Sequence, residues 1–222
     1  MKITNQGEIF DNVTVRYPRI NRTYRFDSVE NKTVPCDALE DGAAYELSFE
    51  LDKAGAIELH KRCMEIYNAA ASADTKRKWK EKPQYLPYRE PSEEGQPFMV
   101  KAKLKGAYGT DKTRPPMQKD AARKDLPEDF MLTSGSKCNV WGVLFAYNTG
   151  AVSGVSFRLK GVQVLELAEM QGGDDPFSET SGFTGNATST SSAAESDPFG
   201  LPPAKSAAPA PAMALDDEIP FN

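Results

Sequence analysis

The sequence predicts a mainly β body, a five- to six-stranded antiparallel barrel with one inserted helix, followed by an acidic tail with no fold of its own. Three observations predict it. Short stretches of alternating apolar and polar residues recur between Val13 and Leu167, as strands with one buried face require. One stretch, after Asp52, changes to the three- and four-residue apolar spacing of a helix. Glycines stand inside the last two predicted strands, where they mark bends that curl a sheet toward closure.

The first strand is predicted over Glu8–Tyr17, where Val13, Val15 and Tyr17 alternate. Arg16, Arg19, Arg22 and Arg25 are interleaved with Tyr17, Tyr24 and Phe26, and Pro18 interrupts the run. Such a run suits a solvated loop, and equally it suits phosphate contact with stacking on bases. Ala44–Leu51 alternates again, with Tyr45, Leu47, Phe49 and Leu51 on one face. Asp52 sits where an N-cap belongs. Ala56, Leu59, Cys63, Ile66, Tyr67 and Ala70 then form the buried stripe of a helix that runs toward Pro83, which must stop or kink it. Lys76–Lys82 is the densest positive run. Within it, Lys78 and an exposed Trp79 suit phosphate contact and base stacking; the plainer alternative is a solvated helix end.

Phe98–Lys105 is the clearest strand. Val100, Ala102 and Leu104 face one way, and Lys101, Lys103 and Lys105 the other. Three lysines in line repel one another, and either water or a phosphate backbone lying along them relieves that. Tyr108–Glu128 reads as a long polar connection with a turn of helix around Ala121. Lys137–Tyr147 and Val152–Glu169 form a hairpin across Asn148-Thr149-Gly150-Ala151. Trp141, Val143, Phe145 and Tyr147 share one face of its first arm. On the second arm Val155, Phe157 and Leu159 alternate with Ser156, Arg158 and Lys160. If Arg158 and Lys160 share the face of the aromatic row, that row lines a wet groove; if they do not, it is barrel core. Strands joined by hairpins and bent by glycines point to a barrel of the oligonucleotide-binding (OB) kind.

The 222 residues carry a net charge of −5, but unevenly. After Gln171 eight acids face one base, Lys205, so this part holds −7 and the body +2. A near-neutral body still binds a polyanion if its cations sit together. Cys36, Cys63 and Cys138 are far apart, and His60 is the lone histidine. Neither zinc spacing nor a disulfide framework is present, and there is no nucleophile motif or phosphate-cradling glycine loop. No catalytic residue, metal or cofactor is expected. With no run long and apolar enough for a signal or membrane span, the expectation is a soluble cytoplasmic protein with no membrane partner.

From residue 171 Gly, Ser, Thr, Ala and Pro dominate, so 1–170 is expected to fold and 171–222 to be a disordered linker and tail. Pro176-Phe177, Pro198-Phe199 and Pro220-Phe221 recur with their phenylalanines 22 residues apart, as chance in a low-complexity segment or as docking baits on one string. The tip, Asp216, Asp217, Glu218, Ile219, Pro220 and Phe221, couples three acids to an apolar anchor. It suits docking on a basic partner pocket or on the protein's own basic face.

That tip resembles the acidic tip of bacterial single-stranded DNA-binding proteins, with Asn222 added after the phenylalanine that in that family carries the terminal carboxylate. The body resembles the single-stranded DNA-binding proteins of bacteriophage replication, over roughly Tyr45 to Gly173. Tyr45–Leu51, the helix with Cys63 and Tyr67, Pro97-Phe98, Gly135-Ser136-Lys137, Asn148-Thr149, Val162–Leu167 and Gly172-Gly173-Asp174 carry the likeness. The resemblance implies sequence-independent binding of single strands, a homodimer, and tail contact with replisome polymerase and helicase in the host cytoplasm. On this view Arg16, Arg19, Arg22, Arg25, Lys78, Lys101, Lys103, Lys105, Arg158 and Lys160 meet phosphates, and Trp79, Trp141, Phe145 and Tyr147 stack on bases. The competing expectation is a protein-interaction adaptor that uses its acidic Pro-Phe baits without touching nucleic acid.

Overall fold

The computed structural model describes residues 1–169. In chain order these form β1 (Lys2–Thr4), β2 (Gly7–Asp27), β3 (Lys32–Pro35), β4 (Ala44–Leu51), α1 (Lys53–Ala73), β5 (Tyr88–Arg89), β6 (Phe98–Lys105), β7 (Ala107–Tyr108), β8 (Asp111–Lys112), β9 (Met117–Lys119), β10 (Lys137–Asn148) and β11 (Ser153–Glu166). Five strands close a barrel. β2 pairs antiparallel with β4 and β10, β4 with β6, and β10 with β11. β11 then meets β6 in parallel through Phe157↔Ala102 and Arg158↔Lys103. This seam is only two residue pairs long. At the N-terminal end of the seam a strap after α1 wedges between the two strands and takes up the freed backbone groups, which burial would otherwise leave unpaired. Val155 N–H donates to Tyr85 O at 2.9 Å, Gln84 N–H to Ser153 O at 2.9 Å, and Lys101 N–H to Pro87 O at 2.7 Å.

Alternation in the sequence becomes inside and outside of this barrel. Val15, Phe49, Val100, Ala102, Val140 and Leu159 are fully buried. Phe10, Phe49 and Phe157 pack ring on ring at the centre, with centroids 4.9, 5.3 and 6.0 Å apart. Burial of each ring stabilises the fold by about 1.5–3 kcal/mol. Gly142 is required here, because a Cβ on it would lie 2.5 Å from both the Phe157 ring and the Arg158 carbonyl oxygen. The hairpin register slips at the same place: Trp141 pairs Gly161 and Gly142 pairs Leu159, which leaves Lys160 as the extra residue of a bulge. The buried Glu8 carboxylate accepts from Leu144 N–H beside that bulge at 3.0 Å and from Arg62 of α1 at 3.3 Å.

The structure corrects the expected elements in three places. β2 does not stop at Tyr17 but continues through Pro18 and the arginines to Asp27, so the arginine run is strand, not loop. Its alternation is broken by Asn12 and Tyr17, whose left-handed backbones (φ 50° and 49°) throw the strand out of step. α1 begins as expected, with the Asp52 carboxylate accepting from Gly55 N–H at 2.7 Å, but ends at Ala73, well before Pro83. Asp74 ends it, its N–H bonding back to Ala70 O and its carboxylate accepting from Lys76 N–H. The Tyr108–Glu128 connection is not a structureless loop with a helical turn. It holds the β7–β8 hairpin, a tight turn at Asp120–Lys124, and β9, which lies parallel to β11. Among the described residues no helix is long and apolar enough to cross a membrane.

Candidate nucleic-acid interface

A groove of about 1040 Å³ runs over the short β6–β11 seam. One bank is β6, where Val100, Ala102 and Leu104 point into the core and Lys101, Lys103 and Lys105 outward, as the alternation requires. The other bank carries Phe145, Tyr147 and Arg158 from the β10–β11 hairpin. The strap adds Tyr85, Tyr88 and Arg89, and Tyr17 and Tyr108 stand at the rim. Five cations and one acid, Glu90, line it. A second cleft, near the start of α1, has the opposite balance, with Asp11, Glu50, Asp52 and Glu94 against Lys53 and Lys137. Only the first suits a polyanion.

The aromatic row is wet. Val143 pairs with Arg158 and Phe145 with Ser156, so Arg158 shares the outward face of Phe145 and Tyr147, while Leu144 points into the core. The two rings lie 6.3 Å apart. Gly154 forms the floor beside them, since a Cβ there would meet Tyr85 O at 2.6 Å and the Tyr147 hydroxyl at 2.9 Å. Burial, and then the neighbouring Tyr85, push the Tyr147 phenol above its usual range, which keeps it neutral. Neutral, flat, half-exposed rings next to a line of lysines supply stacking surfaces and phosphate partners together.

Other expected residues lie elsewhere or are already engaged. Trp79 is not an exposed ring among lysines. It is half-buried, packs edge-on against Tyr67 at 5.1 Å and donates its indole N–H to Asp74 at 3.3 Å. The segment around it is pinned to the hairpin turn, with Asn148 donating to Lys78 O and Arg77 to Asn148 O; the Lys78 side chain is exposed away from the groove lining. Trp141 shares the outward face of β10 but sits at the other end, where its indole donates to Gln6 O at 3.2 Å. Lys160 is exposed on the bulge, outside the groove. Arg16 pairs with Glu50 at 2.6 Å, Arg19 with Glu46 at 3.6 Å, and Arg25 with Glu40 at 3.0 Å. Lys101 also reaches Glu46, at 2.9 Å. Of the expected cations, Arg22, Lys78, Lys160, Lys103, Lys105 and Arg158 have no carboxylate partner among the described residues. Of these, the last three line the groove. Tyr17 enters the site from the arginine–aromatic run that suited base stacking, whereas Tyr85, Tyr88, Arg89 and Tyr108 joined it without being foreseen. Their one signal was exposure among Pro, Gly and basic residues, which solvated loops share. The acidic tip Asp216–Phe221 and the Pro-Phe pairs lie outside the described residues.

No family model matches the sequence, and no curated protein does. Solved structures do resemble the fold. One is gp2.5, a single-stranded DNA-binding protein encoded by bacteriophage T7, with 20% identity over 80% of this chain and 98% of that chain, at a TM-score of 0.52. Another is the single-stranded DNA-binding protein from bacteriophage Enc34 in complex with single-stranded DNA, with 15% identity over 72% and 86% of the two chains and a TM-score of 0.51. The chain shares the OB barrel of these phage proteins. At such identities the likeness is one of backbone path, and the side chains of the groove have to make their own case.

Proposed function

We propose that this protein binds single-stranded DNA without regard to sequence, in the groove over the β6–β11 seam. One observation carries this: Lys103, Lys105 and Arg158, cations without carboxylate partners among the described residues, stand beside the outward rings Phe145 and Tyr147. Phosphates track Lys103 and Lys105 of β6 and bases stack on the rings, each stacked base contributing about 1–3 kcal/mol whatever its identity. A duplex hides its base faces and is not held this way. The shared barrel of the T7 and Enc34 proteins supports the same reading.

The finer role follows from it. The protein covers and protects single strands during phage DNA replication and recombination in the host cytoplasm, binding rather than catalysing. Residues 1–170 form the DNA-binding domain and work as a homodimer. The tail of 171–222 carries Asp216, Asp217, Glu218, Ile219, Pro220 and Phe221 to replication partners, polymerase and helicase, and competes with DNA for the groove. Fluorescence anisotropy with an oligothymidylate and a duplex of equal length tests the first claim: the single strand should bind, weaken with salt and exclude the duplex as a competitor. Deleting Asp174–Asn222 tests the second, with a rise in low-salt affinity expected. A full chain that binds neither oligonucleotide would leave only the protein-adaptor role.

A further inference from the structure

The Arg158 guanidinium lies over the Phe145 ring, 4.5 Å from its centroid, and over the Tyr108 ring at 5.5 Å. One guanidinium thus lies over two aromatic rings from different elements, with no carboxylate partner among the described residues. Tyr108 comes from the β7–β8 hairpin, which the expected loop concealed. That hairpin is built to hold its place: Ala107 pairs Lys112, Gly106 N–H donates to Ala43 O and Thr113 N–H to Gly106 O, both at 2.8 Å. Lys112 also ties it to Asp37 at 2.8 Å. Gly106 lets it sit close, since a Cβ there would lie 2.6 Å from Ala38 O.

We infer that the gap between Tyr108 and Phe145 is a nucleobase subsite, for which Arg158 serves as the placeholder in the free protein. The inference rests on the single-strand reading of the groove and assigns it one defined position. A guanidinium and a base are both planar and both stack on rings, and the base offers the larger flat face. When a strand enters, a base takes the gap and Arg158 swings to the adjoining phosphate. It stands next to Lys103 across the seam, so a phosphate there is held by two cations that otherwise repel each other. Tyr147, beyond Phe145, takes the next base along the row.

The experiment uses the full chain and oligothymidylates that carry one 2-aminopurine, moved position by position along the strand. Stacking quenches this base, and anisotropy of an end label reports binding separately. Sandwiching between two rings should give strong quenching at a bound base. Tyr108→Ala should abolish that quenching and weaken binding about tenfold, the equivalent of one stacked base, while Tyr108→Phe keeps both. Circular dichroism on Tyr108→Ala checks that the barrel stands, and should it not, retention of quenching in Arg158→Ala but not in Phe145→Ala decides the same question. Tight binding with quenching untouched by the Tyr108 and Phe145 substitutions overturns the subsite and leaves the groove reading intact. No anisotropy change with the wild-type chain overturns both.

Discussion

Lys103 and Arg158 stand opposite each other in the two-pair seam that closes the barrel, both outward and both without a carboxylate partner among the described residues. Like charges opposite one another in a sheet cost stability, so a fold gains nothing from this pairing by itself. The Glu46 carboxylate faces Lys103 on β4 and offsets that repulsion, so Lys103→Ala is expected to leave the melting temperature nearly unchanged while weakening oligothymidylate binding. The salt slope should fall by about 0.7, one phosphate contact on a single strand. Arg16→Ala removes a cation already neutralised by Glu50 at 2.6 Å and should hardly alter the slope. Anisotropy titrations over a salt series, run beside thermal melts, separate the two cases.

The outward rings and the half-buried tryptophan should part in the same way. Phe145→Ala and Tyr147→Ala each remove a stacking face and should cost about 1–3 kcal/mol of binding. Neither ring reaches the core, so stability should stay within about 1 kcal/mol. Trp79→Ala strips the ring from Tyr67 and breaks the bond to Asp74, and should lower stability by about 2–3 kcal/mol with binding kept once the protein is folded. Because neither Trp79 nor Trp141 lines the groove, oligonucleotide binding should change tryptophan emission little. Strong quenching that Trp141→Phe removes would move the strand path toward the Gln6 end.

The barrel was legible because its strands keep one wet face: Lys101, Lys103 and Lys105 could not be inside, so Val100, Ala102 and Leu104 had to be. The helix was legible through Asp52 and the Leu59–Cys63–Tyr67 stripe. β2 was not legible past Tyr17, because its left-handed residues break the alternation that marks a strand, and Pro18 reads as a breaker. Whether Phe145 and Tyr147 were groove or core depended on register alone. A one-residue slip against β11 exchanges the faces, and no local pattern fixes that slip. Trp79 misled for a related reason: its partner Tyr67 is one helix end away in space, and neighbouring lysines made it look exposed. The strap from Tyr85 to Pro87 bonds through its backbone, which sequence does not display.

Cys63 and Cys138 provide a check on the closed barrel that does not involve DNA. Burial, helped at Cys63 by the Glu8 carboxylate, pushes both thiols up to about 12. At pH 8 almost no thiolate is present at either, whereas half-exposed Cys36, though also shifted upward by burial and then Glu40, can be reached by reagent. Iodoacetamide should label Cys36 alone in the native protein and all three in denaturant. A folded-state value above the unfolded one favours the protonated, folded form below about pH 9. That stability is lost as pH climbs from 9 toward 12, so denaturant midpoints should fall over this window. Replacing both residues with Ala should flatten that decline.

Glu46 restrains part of the proposed track. Its carboxylate holds Lys101 at 2.9 Å and Arg19 at 3.6 Å, and in register it lies opposite Lys103. It thus draws one end of the lysine line away from any phosphate, and adds a negative charge beside the path. Glu46→Gln keeps the shape and removes the charge. Lys101, which lines the groove, is then free to meet a phosphate, and the salt slope should steepen by about 0.7. Affinity for oligothymidylate should rise by about three- to tenfold at moderate salt. Stability should fall by no more than about 1 kcal/mol, because exposed ion pairs contribute little. The double substitution Glu46→Gln with Lys101→Ala should return affinity and slope to near the wild-type values. If Glu46→Gln binds no better than wild type, the phosphates do not pass Lys101, and the track is confined to Lys103, Lys105 and Arg158.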